Sequence, residues 1–303
     1  MAPRFVLVAL LAVAALVVGT TGSNYLTVTS AKTASKHKAP KAKKATPSPV
    51  ISSPVADETG KSFVTDPPPP LLDPDELKTA AEQINRQKSA AATAIRSYWA
   101  SHGTSVDDAG FVTWAARQVP AAPITSQRQL ELTTLEKLKS GRSAAGLSAA
   151  RWLNRHGSQD VWRVYRTSQT DFRSGTEQKP SAKELDTVIN LAGTIAGQAS
   201  NRLKLSVPYI VEPTIKDDQK SVPAGTTCPC SYPSSAAARS AAAVTYLGAL
   251  SPERRNEYAW MQSQVGAAEL YRADAFPSDL GAGTFIGDLV STYVLVSRGH
   301  ANP

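Results

Sequence analysis

One stretch of this chain leaves its backbone little choice. Ser181-Ala182-Lys183-Glu184 is a capping box, in which a serine oxygen and a glutamate three residues later satisfy amides at the start of a helix. Behind it, Leu185, Val188, Ile189, Ala192, Ile195, Ala196 and Ala199 fall on one side at a period near 3.6. That period buries one face of a helix and suits no strand. The rest of the sequence agrees. Ala is abundant, no strand-like alternation runs for long, and aromatic residues are only 7% of the chain. With 303 residues and 42% apolar content, the chain can form one sizeable core plus tails. The expected fold class is all-α, a helical bundle.

Other helix starts carry their own signals. Asp73 suits an N-cap, Pro74 the first helical position, and Asp75 and Glu76 the positive end of the dipole. Leu77, Ala80, Ala81, Ile84, Ala91, Ile95, Tyr98 and Trp99 extend this helix to a stop at His102-Gly103. Further helices are predicted from Asp107 to Gln118, Thr125 to Lys139, Ser143 to His156, and through Val161 and Tyr165 to Phe172. A loop with Pro208, Pro213, Pro223 and Pro229 follows the Ser181 helix. Helices then run from Ser234 to Leu250, from Ser251 to Tyr271 and from Leu280 to Val296. The five tryptophans, Trp99, Trp114, Trp152, Trp162 and Trp260, sit at helical apolar positions and read as core.

The first 70 residues differ in kind. Phe5 to Gly19 is an apolar run behind Met1-Ala2-Pro3-Arg4, short for a membrane span and suited to the central region of a signal peptide. Residues 1–22 are therefore read as a signal peptide, or as an uncleaved anchor continuing through Tyr25 and Leu26. Six lysines between Lys32 and Lys44 argue against an anchor with its N-terminus inside. Residues 23–70 form a Lys/Ala/Pro-rich linker ending in Pro67 to Pro70; its composition buries too little apolar area to fold. Residues 71–303 form the helical domain. The net charge is +8, and residues 1–70 carry +5 of it, eight basic side chains against three acidic ones. The domain keeps +3, which is no nucleic-acid footprint. The Lys-rich strip suits a spacer or a contact with an anionic surface polymer or lipid headgroups. The protein is expected to be exported, extracellular or in the cell envelope, and membrane-associated if the leader stays.

Cys228 and Cys230 have one residue between them. They read as one tight local bridge or as two ordinary thiols. A metal site needs about four N or S ligands and no His lies nearby, so no metal or other cofactor is expected.

Three segments carry a further pattern. Ala199 to Pro213 holds Ser200, Val207, Pro208 and Tyr209. Ser231-Tyr232-Pro233-Ser234-Ser235-Ala236 opens one helix. Gly266 to Asp279 holds Glu269, Ala275, Pro277 and Ser278. In order and spacing these segments resemble the superfamily of bacterial class A acid phosphatases, type 2 phosphatidic-acid phosphatases and vanadium haloperoxidases. That superfamily has a Lys seven residues before Arg-Pro, then Ser-Tyr-Pro-Ser-Gly-His, then Gly-x-Ser-Arg with a His six residues on and an Asp four beyond it. The likeness covers about Leu185 to Val296 and implies a helical bundle of the acid phosphatase and haloperoxidase type.

In such sites cationic side chains and helix amides hold a phosphate or vanadate. One His attacks, a second protonates the leaving group, and the Asp orients the nucleophile. Carried over by resemblance, Ser200 takes the Lys place and Val207 the first Arg place. Ser234 keeps the Ser, Ser235 replaces the Gly, and Ala236 replaces the acid His. Glu269 replaces the second Arg and Ala275 the nucleophile, while Asp279 remains without a His to orient. No catalytic residue is therefore assigned. The remnant pocket is expected to repel oxyanions and to accept neutral or cationic ligands, or else to be closed by a salt bridge to Arg239 or Arg272. Arg202, Lys204, Arg239 and Arg272 read as solvated helix faces. His102 and His156 read as helix-end caps, with His37 in the linker and His300 in the tail. The resemblance implies an exported, catalytically inactive phosphatase-like protein that binds or scaffolds at the envelope, its partner an envelope protein or an anionic surface polymer. The alternatives are a phosphomonoester or lipid-phosphate hydrolase with a rearranged site, and a linker-anchored structural protein.

Overall fold

The computed structural model describes residue 63 and residues 65–85, 88–172, 180–217 and 228–302, all in one unit spanning residues 46–303. The leader and the Lys-rich stretch lie outside the described residues. Every regular element among the described residues is helical apart from one isolated bridge between Ser206 and Cys230. In chain order the α-helices are α1 (Pro74–Asn85), α2 (Lys88–His102), α3 (Asp108–Gln118), α4 (Thr125–Ser140), α5 (Ala144–His156), α6 (Asp160–Phe172), α7 (Ala182–Leu203), the one-turn α8 (Pro208–Val211), α9 (Ser235–Leu250), α10 (Arg255–Tyr271) and α11 (Pro277–Ser297).

The starts follow side-chain capping. Asp107 accepts from the Gly110 amide at 2.9 Å, Ser143 from Gly146 at 2.9 Å and Ser234 from Ala237 at 3.1 Å. Ser181 caps α7 through the Glu184 amide at 3.4 Å. Two expectations change. The helix expected from Asp73 to His102 is described as α1 and α2, with residues 86 and 87 outside the described set. The last helix begins at Pro277, three residues before the expected Leu280. Proline pre-sets the first helical φ there, and the Asp279 carboxylate turns back to accept from the Phe276 amide at 2.8 Å.

The core is organised on α11. It is long and apolar enough to cross a membrane by length and composition, but 89% of its most apolar window is buried in the domain, as suits a central core helix. It packs along α9 and also touches α7, α1 and α2; α9 in turn packs on α7 and α10. The α9–α11 seam is made of small residues. A methyl at Gly287 would stand 2.6 Å from both the Ala238 carbonyl and the Ala242 amide, and one at Gly283 would collide with the Ser234 carbonyl. Ala238, Ala241 and Ala242 face them, fully buried. Ser291 completes the seam by donating to the Ala242 carbonyl at 2.6 Å. At the far end of α11, Tyr293 stacks on Phe111 at 4.0 Å and on Trp99 at 5.7 Å. The expected core role of Trp99, Trp152 and Trp162 holds, each at most 9% exposed.

Packing against the domain starts before residue 71. The Phe63 ring lies 5.2 Å from Trp152 and 5.5 Å from His156. The Trp152 indole donates to the Asp66 carbonyl at 2.8 Å, and Arg155 pairs with the Asp66 carboxylate at 2.8 Å. The linker boundary at Pro70 is thus corrected: an aromatic ring and a carboxylate inside the nominal linker find partners on α5, which composition alone does not reveal. His156 is corrected too. Its Nε2 lies 3.0 Å from Asp66 and its Nδ1 2.8 Å from Asp160, so both ring nitrogens face carboxylates. It clamps a segment where a simple helix-end cap is expected. His300 also leaves its tail role and reaches Glu184 at 3.0 Å. His102 acts as the expected cap, 3.2 Å from the Tyr98 carbonyl.

Two consequences are testable. Gly287→Ala forces backbone apart at the α9–α11 seam and is expected to cost roughly 1–3 kcal/mol, seen as a lower urea midpoint. An unchanged midpoint would mean the seam has slack. In the full chain, Phe63→Ala is expected to cost roughly 1–2 kcal/mol, about half of a full aromatic burial, and Asp66→Ala to destabilise as well. The hydrogen bond from His156, then Arg155, holds the Asp66 carboxyl below its ordinary 3.8. A depressed carboxyl contributes stability above the unfolded value and loses it as pH falls through the folded one. The Asp66→Ala penalty should therefore shrink in acid below that value, in melts across pH; a penalty constant to the lowest pH would show that the carboxylate is not the holding group.

Candidate functional site

The start of α9 is the floor of a cleft of about 440 Å³. The chain reaches that floor through a fixed approach. The Val207 amide donates to the Pro229 carbonyl at 2.9 Å and the Ser231 amide to the Leu205 carbonyl at 3.0 Å, so the segment after α7 and the segment before α9 run side by side. A disulfide joins Cys228 to Cys230 on this lip, with their Cα atoms 5.2 Å apart. The Ser234 amide donates to the Asp279 carbonyl at 3.0 Å, which ties the α9 start to the first turn of α11. One wall is the C-terminal half of α7, with Ala196, Gly197 and Ser200; the other comes from Asn154 on α5 and Glu269 on α10.

The eight positions taken from the resemblance divide. Ser200, Val207, Ser234, Ser235, Ala236 and Glu269 line the cleft together. Ala275 and Asp279 do not; each is 0% exposed. Ala275, at the nucleophile position, is a methyl sealed in the core. Asp279 has a structural partner that the motif frame does not contain. Arg128 on α4 pairs with it at 2.7 Å and lies 4.3 Å from the centre of the Phe276 ring. Ser278 donates to Glu131 on the same helix at 2.8 Å. The Phe276-Pro277-Ser278-Asp279 turn is thus clamped by α4, and Asp279 faces that clamp and the Phe276 amide. Burial pushes the Asp279 carboxyl upward, with Arg128, Ser231 and the Phe276 amide pulling against it.

Charge in the cleft departs from expectation. Glu269 does face inward, 8% exposed, 3.4 Å from Asn154 Nδ2 and 3.4 Å from Ser234 Oγ. Asp274 joins the lining. The α10 C-terminus closes with Ala273 in the left-handed region at φ 56°, and the Asp274 amide donates to the Glu269 carbonyl at 2.8 Å. Both acids lie beside cations outside the cleft lining. Arg272 is 3.4 Å from Asp274 and 3.4 Å from the buried Asp217, which Arg151 also holds. Burial pulls the Arg272 guanidinium below its ordinary value, and Asp217 and Glu269 push it back up. Arg272 is therefore no solvated helix face but the centre of a charge network.

Arg239 is the reverse case. It lies one turn into α9, half-buried, with its guanidinium across Gly193 of α7. A methyl at Gly193 would stand 2.5 Å from its Cζ. Its Nε is 3.4 Å from Ser235 Oγ, and no carboxylate among the described residues pairs with it. Burial alone depresses its proton affinity. The reading of Arg239 as a solvated face is thus corrected, and of the two arginines expected to close a salt bridge it is Arg272, with Asp274, that does so.

Sequence reasoning missed Asn154, Ser158 and Arg128, which come from helices outside the motif segments. Arg239 carried one usable signal, the i, i+4 spacing from Ser235 that sets both on one side of α9. Comparison with protein-family models, characterised proteins and solved structures finds no match to this chain.

The two charges imply opposite responses. Asp279→Ala leaves Arg128 buried without its partner and is expected to cost about 3 kcal/mol or more. Arg239→Gln removes a half-buried charge with no counter-ion among the described residues and is expected to leave the melting temperature unchanged or raise it. A drop of several degrees in Arg239→Gln would show that this guanidinium holds the fold.

Proposed function

We propose that this domain is an exported, non-catalytic binding module on a phosphatase-like helical fold, a site that keeps its concavity and has lost its phosphate chemistry. The observation that carries this reading is the convergence of six motif positions, five of them substituted, drawn from three chain segments, around one cleft. Ser200 and Val207 stand where cations would hold phosphate. Ala236 stands at the general-acid position on the cleft wall, and Ala275 fills the nucleophile position from inside the core. Glu269 adds a carboxylate where a guanidinium would be. A phosphate ester entering here meets Arg239 as the one cation among the described lining residues, facing two carboxylates. Losing a nucleophile by itself removes most of the rate enhancement of an enzyme that depends on one. Export follows from the leader and linker composition, and the docked end of the linker gives the domain a defined point of attachment on α5.

The test is enzymatic. Purified protein is expected to turn over a generic aryl phosphate no faster than buffer between pH 4 and 9. Turnover that survives purification and falls in both Arg239→Gln and Glu269→Gln, with melting curves intact, would overturn the non-catalytic reading.

A further inference from the structure

The chain has two cysteines, and they are joined to each other across a single residue, Pro229. A disulfide stabilises chiefly by closing a loop in the unfolded chain, and the effect falls as the loop shortens. A bond between cysteines two positions apart closes almost nothing. Nor does it tie two parts of the fold together. The Val207 amide donates to the Pro229 carbonyl at 2.9 Å and the Ser231 amide to the Leu205 carbonyl at 3.0 Å, and Ser206 pairs with Cys230 in the β-bridge between them. Those backbone contacts already hold the segment after α7 against the segment before α9, and the sulfurs add no link across that seam. The bond stands instead at the mouth of the cleft. Pro229 and Cys230 belong to the lining, and both cysteines are half-buried. A cross-link with so little to hold, placed beside a cavity, is better suited to chemistry than to stapling.

We propose that the Cys228–Cys230 disulfide is a thiol–disulfide exchange site whose co-reactant is a small dithiol entering the cleft. This goes beyond the binding reading above and uses none of the phosphatase-like positions. One thiolate of the dithiol attacks Sγ of Cys230, the sulfur that lines the cleft. The S–S bond breaks, and its electron pair leaves on Sγ of Cys228, which takes up a proton. The second thiolate of the dithiol then attacks its own first sulfur in the mixed disulfide and expels Cys230 as a thiolate, protonated in turn. The dithiol is oxidised to a disulfide, the bridge is reduced to two thiols, and one dithiol is consumed per chain. A disulfide of the same class runs the exchange backwards and restores the bridge. The attacking group must be anionic, and Arg239 is the one cation among the described lining residues. Pro229 fixes φ between the cysteines, and its carbonyl stays bonded to Val207 whether or not the sulfurs are joined. The backbone thus keeps the two Cα atoms near 5.2 Å, a span that a disulfide closes without movement. Reduced and oxidised chains share one backbone, so exchange costs the fold little.

The experiment uses the full chain without denaturant. The protein is equilibrated with dithiothreitol, a small dithiol, or with mixtures of reduced and oxidised glutathione; free thiols are then alkylated and counted by intact mass. Dithiothreitol is expected to yield two alkylated cysteines, and its oxidised form to reverse the change. The glutathione mixtures are expected to populate both bridged and two-thiol chains, as exchangeable bonds do and structural ones do not. Reduction is expected to lower the melting temperature by no more than about 5 °C. A bond that stays closed in every glutathione mixture, or a larger fall in melting temperature on reduction, makes the bridge structural and overturns the proposal. The direction of attack is read from single-cysteine variants exposed to oxidised glutathione. Cys230 in Cys228→Ser is expected to form the mixed disulfide at least about tenfold faster than Cys228 in Cys230→Ser. Equal rates overturn the assignment of Cys230 and with it the role of the cleft. The measurements on the unmutated chain decide the proposal if a variant fails to fold.

Discussion

The contact between α9 and α11 is the one on which the rest of the domain depends. Gly283 and Gly287 let the two helix backbones approach until a methyl has no room, and the alanines of α9 fill the remaining space. Such closeness gathers many weak dispersion contacts along a long seam, and it tolerates almost no change of volume. It also sets the functional surface. The Ser234 carbonyl lies against Gly283 while the Ser234 amide bonds the Asp279 carbonyl, so the α9 start cannot move without the first turn of α11. The cleft floor is thereby a rigid element, which is what a binding site built on one helix start requires.

Around that floor the charges are arranged asymmetrically. Arg272, Arg151, Asp217 and Asp274 form a closed network on one side, and Arg128 with Asp279 a closed pair beneath. Each of these charges is compensated within the domain and contributes to holding turns in place. Arg239 has no ion-pair partner among the described residues, although burial disfavours its charge. A fold under no demand at this position would gain by replacing it with a neutral side chain.

Several features were legible along the chain because they are local. The capping boxes, the proline at the α1 start and the apolar stripe of α7 are decided by groups within a few residues of one another. The helix limits Thr125, His156 and Leu250 follow directly from such signals. The resemblance leads us to expect Ser200, Val207, Ser234, Ala236, Glu269, Ala275 and Asp279 around one concavity, of which Ala275 and Asp279 are buried away from it. The docking of Phe63 on Trp152, the Arg128–Asp279 pair and the Asn154 contact were not legible. Each joins residues more than eighty positions apart, and no periodicity or composition encodes which distant partner a charge or ring will find.

By itself the sequence determined that the domain is helical and where most helices begin and end, because side-chain identity and short-range capping decide those matters. Only the tertiary structure decided which charges are free. In sequence the cleft acids could face a ligand or pair with either Arg239 or Arg272, and only the fold sets Arg272 beside them; Arg239 reads as a solvated surface residue until α7 covers it. The physical reason is that electrostatic free energy depends on distance and burial, and folding assigns both by bringing together helices that lie far apart in the chain.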